Sequence, residues 1–358
     1  MAKRGAMPSP KVVRASKQAY NEAFIRMNQP QASIESSLPP QVMLNSAKKS
    51  GAIDLDVDRV YDFLRAYQLE LKTKRASWER KLCEEHGVSL MTVTILAGIL
   101  RRCQTPSQQM LAKNLMLSAS SLGEKSATFE LIQSAINTGN LNKYQEQLQR
   151  LGLLAKKDHD PEAMMLLGKV LLSQGQNKEA LLWLQKSTQP PTGNLQINGA
   201  GDALVNEGRI LLQLGQTKEA ENAFKKAALE LDEPSGYFYL SQLQKSGTPD
   251  QKVYLLKAAS SGILEACHNL GALELEEIEK RDQKPTSLQD YGMAKEWFDV
   301  AAADGFGLSM LNLALMHKAV GHEAESLAWL KKAQNLPEVK EQAIELRQKW
   351  SKTISSLP

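Results

Sequence analysis

Apolar and small residues recur in one register along the C-terminal half of the chain, and this pattern predicts paired helices. In the first half of each repeat, a small residue follows a position that is apolar in four repeats and polar in one: Leu167-Gly168, Glu207-Gly208, Leu240-Ser241, Leu270-Gly271 and Leu313-Ala314. In the second half, an apolar residue precedes a small one by three positions: Leu184/Ser187, Phe224/Ala227, Leu255/Ala258, Phe298/Ala301 and Leu330/Ala333. The small residues of the first halves lie 40, 33, 30 and 43 positions apart, a period typical of stacked helical hairpins. A single hairpin cannot bury its apolar face, so we expect an all-α chain whose five antiparallel helix pairs stack into an α-solenoid.

The spacing within these repeats resembles that of the tetratricopeptide repeat family and its Sel-one-like relatives. In repeats one, two and five, the small residues of the two helices lie 12 positions apart: Gly168/Ala180, Gly208/Ala220 and Ala314/Ser326. The segments 257–262 and 301–305 are similar to the Sel-one-like junction between helix pairs. The resemblance covers residues 160–335. It implies a superhelical stack of antiparallel helix pairs and a protein-binding role, without naming the partner.

Small and aromatic residues of the repeats are expected to set the spacing between helices. Gly168, Gly208, Gly271 and Ala227 allow close approach, so a leucine at Ala227 or Gly271 is expected to overpack the stack. The aromatic residues are expected to fill the space between hairpins, as part of the core: Trp183, Phe224, Trp297 and Trp329.

The segments on either side of the repeats have helical patterns of their own. Residues 53–156 are expected to form a helical N-terminal region, either a cap for the stack or degenerate repeats. A stripe of apolar residues close to a coiled-coil seam begins it: Ile53, Val57, Val60, Leu64, Tyr67 and Leu71. We expect this helix to continue past Trp78 to Gly87, and further helices near 89–102, 107–119, 124–138 and 141–156. Residues 337–350 are expected to form a helix that caps the C-terminal end of the stack.

Residues 1–52 differ from the rest in charge. They hold eight basic and two acidic residues, whereas the remaining chain has a net charge of about −2. Prolines within this segment predict a largely disordered tail and linker. A helix from Val12 with apolar residues near one face favours mitochondrial targeting, to the matrix or the periphery of the inner membrane. A plain disordered basic tail in a cytoplasmic protein is the alternative. Three scattered cysteines indicate an intracellular, reducing compartment.

The longest apolar run, Leu90 to Leu100, is too short to cross a bilayer. Its eleven residues make a helix about 16 Å long, roughly half the thickness of the hydrocarbon core. We expect a buried helix, with peripheral contact to a membrane surface as the alternative. No transmembrane span and no secretory signal peptide are expected.

Motifs for catalysis, cofactors or metals are not expected. Gly123-Glu-Lys-Ser126 lacks the lysine and the upstream glycine of a phosphate-binding loop. Cys267 and His268 are adjacent, so on a helix they point about 100° apart. We therefore expect a protein that is not an enzyme and has no cofactor and no metal site.

One polar feature recurs on the first helices of the repeats and suggests a partner-binding surface. Asn206, Asn269 and Asn312 each precede the small residue by two positions, where the resemblance implies a side chain in the concave groove. An asparagine amide both donates and accepts hydrogen bonds, which suits the backbone of a bound peptide. Four further residues are expected to line the same groove: Arg209, His268, Met316 and Lys318.

These features favour a non-enzymatic scaffold or adaptor that binds a peptide or helix of a protein partner, with a mitochondrial assembly factor as its narrower form. The alternative is a helical-repeat RNA-binding protein in organellar gene expression. The basic N-terminal segment favours RNA, whereas the near-neutral body and the irregular repeat length speak against it.

Overall fold

The computed structural model describes residues 34–73 and 77–355, and all regular secondary structure within these ranges is helical. The α-helices are α1 Gln41–Lys49, α2 Val57–Thr73, α3 Trp78–His86, α4 Leu90–Arg101, α5 Pro106–Leu122, α6 Lys125–Asn137, α7 Gln145–Lys156, α8 Pro161–Ser173, α9 Asn177–Thr188, α10 Ala200–Gln213, α11 Thr217–Lys225, α12 Pro234–Leu243, α13 Pro249–Ser260, α14 Leu264–Glu279, α15 Gly292–Ala303, α16 Gly307–Ala319, α17 Glu323–Ala333 and α18 Lys340–Ser355. A π-helical segment, Lys226–Glu230, extends α11. Short 3-10 helices span Ile34–Ser37, Leu141–Lys143 and Leu288–Tyr291. The expected all-α fold is confirmed.

The chain divides into two compact units, an N-terminal unit Met1–Leu151 and a C-terminal unit Gly152–Pro358. The division falls within α7. Whether the N-terminal unit is a cap or a set of degenerate repeats stays a prediction.

The expected single helix from residue 53 to residue 86 is wrong, because two helices share this stretch. Helix α2 ends at Thr73 and α3 begins at Trp78, after Ser77 in a left-handed backbone conformation with φ of 58°. The rings of Tyr67 and Trp78 lie 4.9 Å apart, so α3 packs back against α2. The apolar stripe continues through both helices because both face the same core. The stripe therefore belongs to a globular core and not to a coiled coil.

The predicted disordered tail, residues 1–52, also needs correction, because helix α1 lies inside it. Leu44 of α1 is fully buried in the core of the N-terminal unit. Pro40 occupies the position just before the helix, where a proline does not interrupt the hydrogen-bond ladder. The Tyr61 hydroxyl donates a hydrogen bond of 3.0 Å to the Pro39 carbonyl and holds this entry segment. The helix expected from Val12 lies outside the described residues.

The C-terminal unit is an α-solenoid of five helix pairs, as the sequence pattern predicts. The pairs are pair one α8–α9, pair two α10–α11, pair three α12–α13, pair four α14–α15 and pair five α16–α17, and α18 packs against α17. The two helices of pair one join through Gly175, which has φ of 76°, a conformation that glycine adopts without steric cost. A Cβ atom at Gly271 would lie 2.8 Å from the Phe298 ring. The small residues thus allow the close helix contacts expected of them.

The tryptophans of the pairs do not fill the core as expected. Phe224 and Phe298 are fully buried, whereas Trp183, Trp297 and Trp329 are only half-buried. On each of these three helices, the buried large residue follows the tryptophan by one position, so the tryptophan points about 100° away. Lysine side chains cover two of the rings: the Nζ atoms of Lys186 and Lys332 lie 4.9 Å and 3.9 Å from the centroids of Trp183 and Trp329.

The last helix begins later than predicted. Residues 336–339 form a turn, and α18 follows from Lys340, with Val339 and Ala343 buried against the fifth pair. Within residues 34–73 and 77–355, no single helix is both long and apolar enough to cross a membrane. The adjoining α3 and α4 reach that length and composition only together, and they meet at a bend of 96°.

Candidate functional site

The residues predicted to line one groove lie in separate places along the C-terminal unit. Asn206 and Arg209 lie on α10 of pair two, and His268 and Asn269 lie on α14 of pair four. The remaining three, Asn312, Met316 and Lys318, lie on α16 of pair five. Of these residues, the structure brings together His268, Asn312 and Met316 around one groove, and the α10 residues form a local cluster of their own.

The Asn206 amide is engaged inside its own helix. Its Nδ2 atom donates to the Asp202 carbonyl at 2.8 Å and to the Asp202 carboxylate at 2.9 Å. Its Oδ1 atom accepts a hydrogen bond of 3.3 Å from Arg209, whose guanidinium also lies 6.0 Å from the Tyr239 ring centroid. Asp202 in turn pairs with Lys169 at 2.7 Å. The Asn206 amide therefore already has partners on its own helix, and its role in binding a peptide stays a prediction.

His268 connects helix α14 to helix α16. Its Nδ1 atom lies 3.0 Å from the Ser309 hydroxyl, and its ring lies 5.4 Å from the Phe298 ring and 5.1 Å from the Phe306 ring. Burial lowers the pKa of this imidazole because the charged form loses hydration. His268 thus presents a largely apolar wall with one polar edge, and its burial favours the neutral form.

Two adjoining cavities follow helix α16 and share the residues Asn312 and Leu315. The first, of about 370 Å³, lies beside α18, and the second, of about 640 Å³, lies beside the end of α14. We call their combined surface the α16 groove. It is lined by His268, Leu275, Ile278, Glu279, Lys284, Pro285, Tyr291, Leu308, Leu311, Asn312, Leu315, Met316, Ala319, Gln342, Glu345, Leu346 and Lys349.

The α16 groove combines exposed apolar side chains with an unused amide. Leu308 and Leu315 lie seven positions apart on α16 and are 42% and 43% exposed, although both are leucines on a packed helix. The half-buried Asn312 amide between them has no hydrogen-bond partner among the described residues. An apolar stripe with one amide suits a segment that buries apolar side chains and offers backbone groups.

The other predicted groove residues contribute unequally. Met316 lines the groove although it is only 2% exposed, whereas Asn269 is half-buried and is not among the lining residues. Lys318 pairs with Glu323 at 2.6 Å, and its Nζ atom lies 5.7 Å from the Trp350 ring centroid. This contact ties α16 to α17 and α18, so Lys318 stabilises the end of the stack and does not line the groove.

Sequence reasoning missed the far wall of the groove. Gln342, Glu345 and Lys349 come from α18, whose place beside α16 follows from packing and not from any motif. The exposed leucines of α16 were a usable signal, because position 315 directly follows the small residue of its repeat and falls outside the buried stripe.

Clusters of three or more histidine, cysteine, aspartate or glutamate side chains that could hold a metal ion do not occur in the part of the chain that the structure describes. The groove itself contains one imidazole and a few separated charges. The hydroxyl beside that imidazole, Ser309, is fully buried and does not line the groove.

Comparisons with known proteins agree with the repeat fold. A model of the tetratricopeptide repeat matches residues 201–233, which span pair two. A protective antigen of uropathogenic Escherichia coli with an SLR fold is 19% identical, with a TM-score of 0.52 over 89% of this chain and 70% of the antigen. A Sel1 repeat protein from Oxalobacter formigenes is 17% identical, with a TM-score of 0.34 over 78% of this chain and 92% of that protein. A comparison with curated protein sequences gave no significant match. The matched model shows a tetratricopeptide repeat at residues 201–233, and the match to the SLR structure shows a repeat fold of the tetratricopeptide and Sel1-like kind.

Proposed function

We propose that this protein is a non-enzymatic adaptor that binds a segment of a protein partner in the α16 groove. Repeat folds of this family generally mediate interactions between proteins, and the open face of a helix stack offers a preformed surface. Because the receptor is already ordered, binding loses little conformational entropy on this side of the interface. The observation that carries the proposal is the pair of exposed leucines, Leu308 and Leu315, on either side of the unpaired Asn312 amide.

The shape of the groove favours a segment with apolar side chains spaced along one face. Four exposed charged residues line the groove together with the apolar ones, namely Glu279, Lys284, Glu345 and Lys349. We expect the apolar residues to form the centre of the interface and the charged residues its rim, as in most protein interfaces. Truncating a central leucine is expected to weaken binding more than removing a rim charge.

Site-specific photocrosslinking tests this proposal. A photoreactive amino acid at Leu315 is expected to capture a defined partner in cells, and the same label at Leu327, which is 48% exposed on α17, serves as the matched control. The captured partner, once purified, is expected to lose affinity for Leu315→Glu and Asn312→Ala but not for Leu327→Glu. If Leu315→Glu and Leu327→Glu lose the same affinity for the partner while both remain folded, the α16 groove is not the binding site.

We further propose, in a narrower form, that the adaptor is a mitochondrial assembly factor, and the basic N-terminal segment supports this. The support is its charge, eight basic against two acidic residues in residues 1–52, together with the spacing of its apolar residues. A fluorescent protein fused to residues 1–52 is expected to enter mitochondria. A diffuse cytosolic signal favours the cytoplasmic adaptor instead.

RNA binding remains the alternative function, and the same charge supports it. Electrostatic binding of RNA weakens as the salt concentration rises, because bound counterions are released. A gel shift with bulk RNA that requires residues 1–33 and disappears at high salt would favour this alternative. The absence of any shift at low salt would exclude RNA binding and favour the proposed role as a protein adaptor.

A further inference from the structure

A second cleft lies in the C-terminal unit, between α9 and α11, and it shares no residue with the α16 groove. Its volume is about 460 Å³, within the range of about 300–1,000 Å³ that is typical of small-ligand pockets. We call it the Glu207 cleft. It is lined by Leu181, Gln185, Gln189, Leu204, Glu207, Leu211, Gln216, Glu219, Asn222, Ala223 and Lys226.

The floor of this cleft carries a buried carboxylate that is only half satisfied. Glu207 is 5% exposed, and its Oε1 atom accepts a hydrogen bond of 3.1 Å from the Gln185 amide. The Oε2 atom is buried and has no hydrogen-bond partner among the described residues. A buried carboxylate oxygen without a hydrogen-bond partner is costly for the folded protein. Ligand binding at this atom would offset that cost.

The repeat register shows that Glu207 replaces a leucine. The same position, just before the small residue of the first helix, is Leu240, Leu270 and Leu313 in pairs three to five, and all three are buried. The fold therefore accepts leucine at this position, and a glutamate is not needed to build the pair. Packing of the pair alone therefore does not account for a carboxylate here.

The chemistry around the carboxylate favours a guanidinium group. Leu204 and Leu211 form apolar walls against which a weakly hydrated planar cation and its aliphatic stem can lie. The amides of Gln189 and Asn222 stand at the exposed rim, where their carbonyl oxygens can accept further N–H donors. Only an arginine side chain presents several N–H donors in one plane to such a set of acceptors.

The charges that face the cleft leave room for such a cation. Glu207 and Glu219 are acidic, and the exposed Lys226 is the one basic residue among those that line the cleft. Lys226 attracts Glu207, but no ion pair joins the two among the described residues. Burial raises the pKa of Glu207, against the opposing effects of the Gln185 hydrogen bond and Lys226. A bound guanidinium would reverse this shift.

We propose that the Glu207 cleft binds an arginine side chain of a protein partner, with the Glu207 carboxylate as its principal acceptor. This site is independent of the α16 groove, so either proposal can fail without the other.

Methyl NMR of the full chain tests the proposal, with the Leu204 and Leu211 methyl groups as reporters on the cleft walls. The probes are the N-acetyl methylamides of arginine, of lysine and of citrulline, the last being the neutral counterpart of arginine. The arginine derivative is expected to give saturable shifts, and the citrulline derivative is not. In Glu207→Gln, the affinity for the arginine derivative, measured from these shifts, is expected to fall about tenfold or more, as for loss of a charge-assisted hydrogen bond.

Glu265→Gln is the matched control, because this substitution removes the same charge. Glu265 is exposed on α14 and does not line the cleft. This control is expected to keep the arginine shifts unchanged. Retained shifts in a folded Glu207→Gln, equal shifts from citrulline, or tighter binding of the lysine derivative would each overturn the proposal. So would the absence of any arginine-dependent shift, which would mean that only water or Lys226 occupies the cleft.

Discussion

Pair two and pair four are built on one register, yet they treat the same buried position in opposite ways. In pair four, Leu270 is 3% exposed and belongs to an apolar cluster. In pair two, Glu207 is 5% exposed and opens onto a cleft. Both positions precede a glycine that allows the second helix to approach. The close packing of a pair is thus compatible with either residue, and the difference points to a local role for the carboxylate and not to the fold.

Placing a carboxylate at the equivalent position of pair four is expected to have the largest effect on stability. Leu270→Glu is expected to lower the free energy of unfolding by about 3–5 kcal/mol, the cost of an uncompensated buried charge. Urea unfolding followed by circular dichroism measures the loss. Leu270→Met is the control, with an expected cost below about 1.5 kcal/mol. If Leu270→Glu proves as stable as Leu270→Met, this position also tolerates a charge in pair four. The presence of Glu207 in pair two would then not indicate a binding role.

The glycine that both pairs share offers a second test. Gly271→Ala is expected to destabilise by about 1–3 kcal/mol, because the new Cβ atom would lie 2.8 Å from the Phe298 ring. Gly98→Ala on α4 is the matched control, since a Cβ atom there has nothing within 4 Å. This control is expected to stabilise by about 0.5–1 kcal/mol through helix propensity. Thermal melts of both variants decide the matter, and equal effects would contradict the close approach in pair four.

The reverse exchange makes pair two resemble its neighbours. Glu207→Leu is expected to raise the free energy of unfolding by about 1–3 kcal/mol, because it removes a buried polar atom without a partner. The same variant is expected to abolish arginine binding in the cleft. Glu207→Gln keeps the side-chain shape and is expected to fall between leucine and the natural residue in stability. A destabilised Glu207→Leu would show that the carboxylate serves the fold after all.

The smallest expected effect is a dependence on pH. The folded state raises the pKa of Glu207 above its ordinary value of 4.5. At pH values between 4.5 and the raised pKa, Glu207 is more protonated in the folded protein than in the unfolded chain. In this range the residue therefore makes the free energy of unfolding fall as the pH rises. The advantage of Glu207→Gln over the natural protein is therefore expected to be smallest below pH 4.5 and to grow through the raised pKa. Urea midpoints of both proteins across pH measure this, and a constant difference would contradict a raised pKa.

Sequence reasoning recovered the C-terminal unit well because its evidence is local and repeated. Small residues at a fixed register give the pairs directly, and Asp160 before Pro161 marks the first helix of pair one, where the Asp160 side chain accepts from the Ala163 amide at 2.9 Å. The sequence of the N-terminal unit lacks this fixed register of small residues. One stripe of apolar residues there serves two helices, and the chain reversal before Trp78 has no glycine or proline to announce it.

The candidate sites were harder to predict than the fold. Asn206 and Asn312 occupy the same register position, yet Asn206 is used by Asp202 and Arg209, whereas Asn312 is not paired within the described residues. Register alone therefore does not say whether an amide is available. Glu207 stood out in the sequence as the one polar residue at an apolar position, but the gap between α9 and α11 that gives it a role appears only in three dimensions.

The half-buried tryptophans have a practical consequence for studying this stack. Trp183, Trp297 and Trp329 report on pairs one, four and five, and each lies partly in water beside a fully buried neighbour. Their fluorescence should respond to fraying of the individual pair that carries each of them. Single-tryptophan versions of the chain would then let an experimenter follow, pair by pair, the order in which the stack opens.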